Sequence, residues 1–306
     1  MNKWISFILL FKVLSFSVVT GQEVETLVQT NFAIRDFIVE KDSIIFLKKR
    51  DLILKDVRSE HSQSYFLGGY GLEIQDLSNQ NTIVTVSNEL VNNVSSVRFY
   101  NRSKNDFDQV YYNRQGKIID FLIIPEAKLF ALSLVSNKII IIDYSEAPRF
   151  LKTIQIDTEV LSRRMQFKDN ELYYVTDNGG FFSYNINTYE KKEYFKTNEQ
   201  INDFVLLEKN IIYSTIEGSL VRRDLLTGDE DNFDLLNNFV TALDYDKDYL
   251  VFGTWLGDIF VFDLKNFEMK QNIKAHKKPV LKLFFQEDII YSSSVDQTIK
   301  KSKLSI

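Results

Sequence analysis

The chain alternates short apolar runs with polar turns, and few of its segments show the spacing of an amphipathic helix. β-branched and aromatic residues fill the apolar runs, with 25 Phe and 15 Tyr, whereas Gly and Pro are sparse at 11 and 3. Such short runs, bounded by polar turns, are typical of β-strands. The pattern therefore predicts a nearly all-β chain.

Similar strand segments recur about every forty residues. Aligned segments begin at Ile34, Ile74, Ile118, Val160, Ile201, Val240 and Val280, at intervals of 40, 44, 42, 41, 39 and 40 residues. A second column of dipeptides keeps the same register: Lys55-Asp56, Tyr100-Asn101, Ile142-Asp143, Tyr184-Asn185, Arg223-Asp224, Phe262-Asp263 and Ser302-Lys303. A regular period of this length indicates a propeller whose blades have four strands each.

The second column resembles the Trp-Asp position of the WD-repeat family. The aspartate or its amide is kept in six of the seven copies and the tryptophan in none. The last repeat is the most similar, because His276, Ser292 and Asp296 match three of the four members of the family's hydrogen-bond network, with Ser302 in place of the tryptophan. The resemblance covers residues 22–306 by period, but its specific motifs are found mainly in the last repeat, and residues 66–115 fit least well. It implies a structural role for the three matching side chains.

The strand count predicts how the ring closes. After Val280 only three strands fit, at 279–285, 288–294 and 298–304, while an additional strand at 25–30 precedes the first inner strand. In WD-repeat propellers the N-terminal strand completes the last blade, which also protects an exposed edge. We therefore expect residues 22–306 to form one domain, a seven-bladed β-propeller of four-stranded antiparallel blades whose last blade is closed by the N-terminal strand.

The N-terminal segment has the features of a signal peptide. Lys3 precedes an apolar run from Trp4 to Val19, and small or β-branched residues lead to Gly21. These features predict a signal peptide at 1–21 and export to the periplasm or the cell exterior. The run is shorter than the roughly 20 apolar residues that cross a bilayer, and Lys12 interrupts it, which argues against a membrane anchor. An uncleaved anchor is the alternative. The Lys, Asn, Ile and Phe bias and the absence of cysteine favour a bacterial source.

Composition removes several classes of chemistry. Among the 306 residues there is no Cys and there are two His. Disulfides, thiol nucleophiles, CxxC metal sites and three-His zinc sites are therefore excluded. The net charge is −5, and −7 for residues 22–306, with basic doublets scattered among carboxylates. This distribution does not favour nucleic acid as a partner.

Two motifs suggest chemistry that their surroundings do not support. Ser292, His276 and Asp296 are the residue types of a hydrolase triad, but no Gly-x-Ser-x-Gly elbow surrounds Ser292, so we interpret them as structural. The carboxylates of 244–248 alternate as in a calcium loop, but Tyr249 occupies the position of the required glycine. We interpret this segment as a solvated turn, with calcium as the alternative. The sequence predicts no cofactor and no metal.

Candidate binding residues cluster on one predicted face. Trp255, the only Trp after residue 21, lies in a turn between the second and third strands of the sixth blade. Either it is a binding hot spot or it packs locally, and both interpretations stay open. The segments that lead into the blades on the same face carry a mixed polar set: Arg35, Asp36, Asp120, Arg163, Arg164, Asn202, Asp203 and His276. We expect this face to bind a protein or peptide.

These observations predict a monomeric, non-enzymatic scaffold of the cell envelope or the exterior. The first alternative is a propeller enzyme that acts on a sugar or lactone, or through a quinone cofactor, with carboxylates around the central channel. The second is a sensor or assembly subunit of a membrane complex. Fold alone does not separate them.

Overall fold

The computed structural model describes residues 23–305 except 60, 78, 79, 148, 236 and 237. The predicted signal peptide lies outside the described residues. In the part of the chain that is described, no helix has the length and apolar character needed to span a membrane.

The strands are short, and most have five to seven residues. Those of the first three blades, preceded by the N-terminal strand, are β1 (Val24–Gln29), β2 (Ile34–Val39), β3 (Ser43–Lys48), β4 (Asp51–Asp56), β5 (Ser62–Phe66), β6 (Tyr70–Leu77), β7 (Thr82–Asn88), β8 (Ser95–Asn101), β9 (Asp106–Asn113), β10 (Ile118–Ile124), β11 (Leu129–Leu134), β12 (Lys138–Asp143) and β13 (Leu151–Asp157). Those of the last four blades are β14 (Ser162–Lys168), β15 (Glu171–Thr176), β16 (Gly180–Asn185), β17 (Lys191–Lys196), β18 (Ile201–Leu206), β19 (Asn210–Thr215), β20 (Ser219–Asp224), β21 (Glu230–Asp234), β22 (Val240–Asp246), β23 (Tyr249–Thr254), β24 (Ile259–Asp263), β25 (Glu268–Ile273), β26 (Val280–Gln286), β27 (Ile289–Ser294) and β28 (Thr298–Lys303). A 3₁₀ turn at Pro125–Ala127 follows β10.

The described strands pair into seven four-stranded antiparallel sheets, and six of these contain consecutive strands. The seventh has the order β1-β28-β27-β26, so the N-terminal strand supplies its outer edge. The first strands of neighbouring sheets contact each other in a ring that includes β26 beside β2. The chain is a seven-bladed β-propeller. The predicted fold and the predicted closure by the N-terminal strand are both confirmed.

The core lies between the blades rather than at one centre. Ile45 and Leu47 of the first blade pack against Ile74 and Ile83 of the second, and similar clusters separate the other blades. Each sheet is thus covered on both faces, which explains near-continuous apolar strands such as β12. No disulfide is needed because each blade buries its neighbours.

The Asp or Asn of the second sequence column closes the turn after the third strand. Asp224 Oδ1 accepts hydrogen bonds from the backbone N–H groups of Leu226 and Thr227, both at 2.8 Å. The same type of bond is made by Asp56, Asn101, Asp143, Asn185 and Asp263. These Asx turns direct the chain into the outer strand. Lys303 has no such role, because the outer strand of its blade is β1.

Two positions of the first sequence column differ from the alignment of the inner strands in the structure. Strand pairing aligns Gly71 and Ser162, rather than Ile74 and Val160, with Ile34, Ile118, Ile201, Val240 and Val280. The prediction is wrong there because neither position carries an apolar side chain. At Gly71 a Cβ would lie 3.1 Å from Leu47 and 3.2 Å from Leu67, so the position is filled by its neighbours.

Candidate functional site

A β-bulge near the start of each described inner strand shapes the central channel. In every blade the pairing with the second strand shifts by one residue at this point, as between Ile118 and Asp120. A bulge re-aims side chains away from the regular ladder. Here the re-aimed side chains line a cavity of about 420 Å³ on the channel axis.

Two stacked sets of side chains line this cavity. We call the end at which the inner strands begin the mouth face. The mouth ring, at the bulges, consists of Arg35, Leu72, Ile119, Arg163, Asn202, Thr241 and Leu281. The throat ring, one residue further along each strand, consists of Asp36, Glu73, Asp120, Arg164, Asp203, Ala242 and Lys282.

The structure brings seven of the predicted binding residues together in this one cavity: Arg35, Asp36, Asp120, Arg163, Arg164, Asn202 and Asp203. They lie on the inner strands, so their expected place in the connecting segments is wrong. Sequence reasoning missed Glu73 because the second repeat was aligned three residues late. It also missed Lys282, although this residue follows Val280 at the same spacing as Asp120 follows Ile118.

Most throat carboxylates join one blade to the next. Asp36 Oδ2 accepts the N–H of Ile74 at 2.9 Å, and Asp120 Oδ2 accepts the N–H of Met165 at 2.7 Å. Asp203 likewise accepts a backbone hydrogen bond from Leu243. The inner strand is the free edge of its sheet, so these bonds satisfy backbone groups that would otherwise lack partners.

Two glutamines make the same kind of connection. Gln75 donates to the carbonyl of Phe121 at 3.3 Å and accepts the N–H of Ile123 at 3.1 Å. Gln166 donates to the carbonyl of Phe204 at 2.7 Å in the same way. The glutamines of the second and fourth blades therefore connect to the inner strands of the third and fifth.

Asp244 corrects the interpretation of 244–248 as a solvated turn. It lies on β22, and its Oδ2 accepts the N–H of Phe285 of the seventh blade at 2.7 Å. Asp246 makes a similar bond with the N–H of Glu287 at 3.0 Å. Both carboxylates therefore serve the junction between the last two blades. Burial raises the pKa of Asp244 to about 6, although the hydrogen bond from Phe285 opposes this.

The two throat cations pair with three of the four throat carboxyls. Arg164 Nη1 lies 3.0 Å from Asp120 Oδ1, and its Nε lies 3.6 Å from Asp203 Oδ1. Lys282 Nζ lies 3.7 Å from Asp36 Oδ1 and connects the seventh blade to the first. The nearby carboxylates of Asp203 and Asp36 raise the pKa of Arg164 and of Lys282, respectively.

The pKa values of all four throat carboxyl groups are raised. Burial raises the pKa of Asp120 to about 6 despite the attraction of Arg164. Burial, reinforced by the charge of Asp120, raises the pKa of Glu73 to about 8. Burial also raises the pKa of Asp36 and Asp203. The surrounding protein disfavours the charged form, and neighbouring carboxylates repel one another, so each added negative charge costs more than the last.

Trp255 lies on the mouth face, at the first position of the turn between β23 and β24. Its backbone N–H donates to the carbonyl of Phe239 at 3.1 Å, and the centroids of the two rings lie 5.1 Å apart. Trp255 is nevertheless 53% exposed, and Leu256 beside it is 62% exposed. Trp255 thus packs against Phe239 and stays partly exposed, and a binding role for it stays a prediction.

The flanking glycines fix this turn against the seventh blade. A Cβ at Gly257, whose φ is +91°, would lie 2.6 Å from the carbonyl oxygen of His276. A Cβ at Gly253 would lie 2.5 Å from Val280. Close approach of the His276 backbone at Gly257, and of the Val280 side chain at Gly253, explains why glycine occurs on both sides of Trp255.

His276 belongs to a buried network and not to the binding surface. Its Nε2 lies 2.8 Å from Ser292 Oγ, and its Nδ1 lies 3.0 Å from Asp296 Oδ2. Because a carboxylate can only accept, Nδ1 carries the proton and donates it to Asp296, and the Ser292 hydroxyl donates to Nε2. This tautomer gives both ring nitrogens a partner. The geometry is that of a catalytic triad, but the His276 side chain is 0% exposed and Ser292 is fully buried, which leaves no space for a substrate. The structural interpretation agrees with this geometry, whereas the predicted binding role for His276 does not.

No group of three or more His, Asp or Glu side chains within the described residues is placed to hold a metal ion. No protein-family model matches the chain, and no curated protein is similar to it in sequence. Among solved structures, the WD40 β-propeller domain of Doa1 is similar with a TM-score of 0.75 at 10% identity, covering 93% of this chain and 97% of that domain. The computationally designed Ika8 protein has a TM-score of 0.71 at 13% identity, covering 93% of this chain and all of that one. At these identities the similarity shows the fold alone.

Proposed function

We propose that this propeller is a non-enzymatic scaffold that binds a protein or peptide segment across its mouth face. The observation that carries the proposal is the apolar arc, which we define as Ile216, Phe239, Trp255 and Leu256. Ile216, Trp255 and Leu256 are exposed in turns of the fifth and sixth blades, on the face that also holds the polar channel mouth, and half-buried Phe239 packs against Trp255. Exposed large apolar side chains next to a polar centre are typical of protein-binding surfaces.

The arc is built on a rigid support. The N–H of Ile216 donates to the carbonyl of Gln200 at 3.2 Å, just as Trp255 donates to Phe239. Each turn is thereby fixed to the segment that leads into its own blade. A pre-ordered aromatic anchor loses little conformational entropy on binding, which favours affinity. Export to the periplasm or exterior, as indicated by residues 1–21, is part of the proposal.

Site-directed photo-crosslinking in cells tests the proposal. A photoreactive residue in place of Leu256 should capture a defined partner, whereas one in place of Leu226 should not. Leu226 is the matched control because it is 93% exposed in a turn on the opposite face. Trp255→Ala should then weaken capture at 256 at least tenfold, as for an aromatic anchor. Identical captures at both positions, or no effect of Trp255→Ala, would contradict a binding role for the mouth face.

One observation favours an enzyme as the second candidate. Glu73, with a pKa of about 8, and Asp120, with a pKa of about 6, line the same cavity, and unequal carboxyls can act as acid and base. Such an enzyme would act on a small sugar or lactone. Metal analysis, a visible absorption spectrum and hydrolysis assays on purified protein discriminate between the two. A stoichiometric metal, a chromophore or turnover that Glu73→Gln abolishes would favour the enzyme.

A further inference from the structure

Glu73 differs from the other carboxyls of the throat ring. Asp36, Asp120 and Asp203 each accept a backbone N–H of the next blade and each lie near Lys282 or Arg164. The Glu73 carboxyl accepts a hydrogen bond from Gln75 Nε2 at 3.1 Å. It forms no ion pair with any of the described residues. Its carboxyl group is therefore not committed to holding the blades together.

The position of Glu73 places three carboxyl groups side by side on one arc of the channel. In the ring order of the blades it stands between Asp36 of the first and Asp120 of the third. Lys282 and Arg164 lie beyond these two neighbours and pair with them. When Glu73 ionises, four throat carboxylates face two cations, so a further cation is the group that would stabilise its charged form.

The cavity has room for such a group and is open to solvent. A volume of about 420 Å³ lies within the range of small-ligand pockets and exceeds what a single Lys or Arg side chain occupies. At the mouth, Arg163 is paired with Asp177, which neutralises much of its charge. Arg35 is exposed to solvent, where its charge is screened. Aliphatic Leu72 and Leu281 flank it and can line the stem of an inserted side chain.

We propose that the channel receives one cationic side chain, an arginine or lysine of the bound segment, with Glu73 as its direct counter-ion. The inference rests on the proposed function, because the cation is carried by the segment that crosses the mouth face. Glu73 is largely protonated at neutral pH, so it releases its proton to solvent as the cation enters. Binding is therefore coupled to the loss of one proton.

The probes are butylguanidinium and its neutral isostere butylurea. Calorimetric titration at about pH 7, in two buffers of different ionisation enthalpy, measures affinity and proton release together. We expect butylguanidinium to bind at least tenfold more tightly than butylurea, with release of nearly one proton. Its apparent affinity should rise about tenfold per pH unit towards pH 8 and then level off, because guanidinium stays charged throughout. Equal binding of the two probes, or binding without proton release, overturns the proposal.

Variants assign the effect to Glu73. Glu73→Gln should remove both the preference for the cation and the proton release, whereas Glu126→Gln, which alters an exposed carboxyl beyond the opposite end of β10, should change neither. A circular dichroism spectrum and a cooperative melt establish that each variant is folded, and the pH dependence of the unmodified chain tests the proposal without any variant. Butylguanidinium binding that persists in Glu73→Gln would contradict the role of Glu73 as the counter-ion. If crosslinking at 256 depends on Trp255 while the cation probe fails, the proposed function stands and this inference falls.

Discussion

The carboxylate of Asp120 on the third blade accepts the backbone N–H of Met165 on the fourth at 2.7 Å. The same carboxylate holds Arg164 at 3.0 Å, so one side chain satisfies two groups of the neighbouring blade. Similar bonds occur at other blade junctions, from Asp36 beside the bulge of the first blade and from Asp244 further along the inner strand of the sixth. The channel wall is therefore a set of inter-blade connections as well as a candidate binding site.

Replacing Asp120 should weaken the junction between the third and fourth blades. Asp120→Ala leaves the Met165 N–H without its acceptor and removes one partner of Arg164, so we expect a loss of about 1–3 kcal/mol in the free energy of unfolding. Urea denaturation followed by tryptophan fluorescence measures it. Glu126→Ala, at an exposed site, should change stability by less than about 0.5 kcal/mol. An unchanged midpoint for Asp120→Ala would show that the junction does not depend on this carboxylate.

The buried histidine should make the seventh blade sensitive to acid. Burial lowers the pKa of His276 below its ordinary value, although Asp296 opposes this. The unfolded chain therefore binds a proton more readily, and the stability that His276 contributes is present above about pH 6.5 and is lost as pH falls below it. The stability difference between the natural chain and His276→Gln should shrink between about pH 7 and pH 5. Comparison of variants is needed because Glu73 and Asp120, whose pKa values are raised, act in the opposite direction.

Denaturant midpoints at the two pH values provide the measurement. His61→Gln is the matched control, because His61 is exposed on the first blade. We expect it to leave the pH dependence unchanged. A constant difference between the natural chain and His276→Gln at both pH values would contradict neutral burial of the imidazole.

Two buried serines of the seventh blade should respond to alanine in opposite directions. Ser292 donates to His276 at 2.8 Å, so Ser292→Ala should cost about 1–2 kcal/mol. Ser302 is 1% exposed, and its hydroxyl finds no partner among the described residues, so Ser302→Ala should be neutral or stabilise by up to about 1 kcal/mol. Thermal melts of the two variants compare them directly. Destabilisation by Ser302→Ala would indicate a hydrogen bond through water.

The N-terminal strand should be essential to the closed ring. It pairs with β28 along its length, and Val28, which is 2% exposed, packs with Ile34, Phe37 and Ile299. A chain that begins after Thr30 should melt at a lower temperature and associate, because the edge of β28 is left unpaired. Size-exclusion chromatography and thermal melts test this. Val28→Ala keeps the strand pairing and should have a smaller effect, and a truncated chain that stays monomeric with an unchanged melt would contradict the requirement for closure.

The repeat period, the second sequence column and the closing strand could all be predicted from the sequence. They depend on local features: apolar runs mark strands, an Asp or Asn such as Asp224 closes an Asx turn two or three residues away, and a missing fourth strand must come from elsewhere. The residue types of the His276 network were also recognisable, because their spacing within one blade is fixed by strand length.

The tertiary structure alone decided which side chains meet. Asp36 and Asp120 are 84 positions apart but line one channel, because bulges in different blades point at the same axis. Glu73 could not be found from the repeat alignment, because Gly71 occupies the position that is apolar in most other blades. His276 was predicted to contact a partner, but its side chain is buried and supports the seventh blade. Local periodicity sets which residues form a blade. The protonation of Glu73 depends on the closed ring, since the charges that act on it belong to other blades.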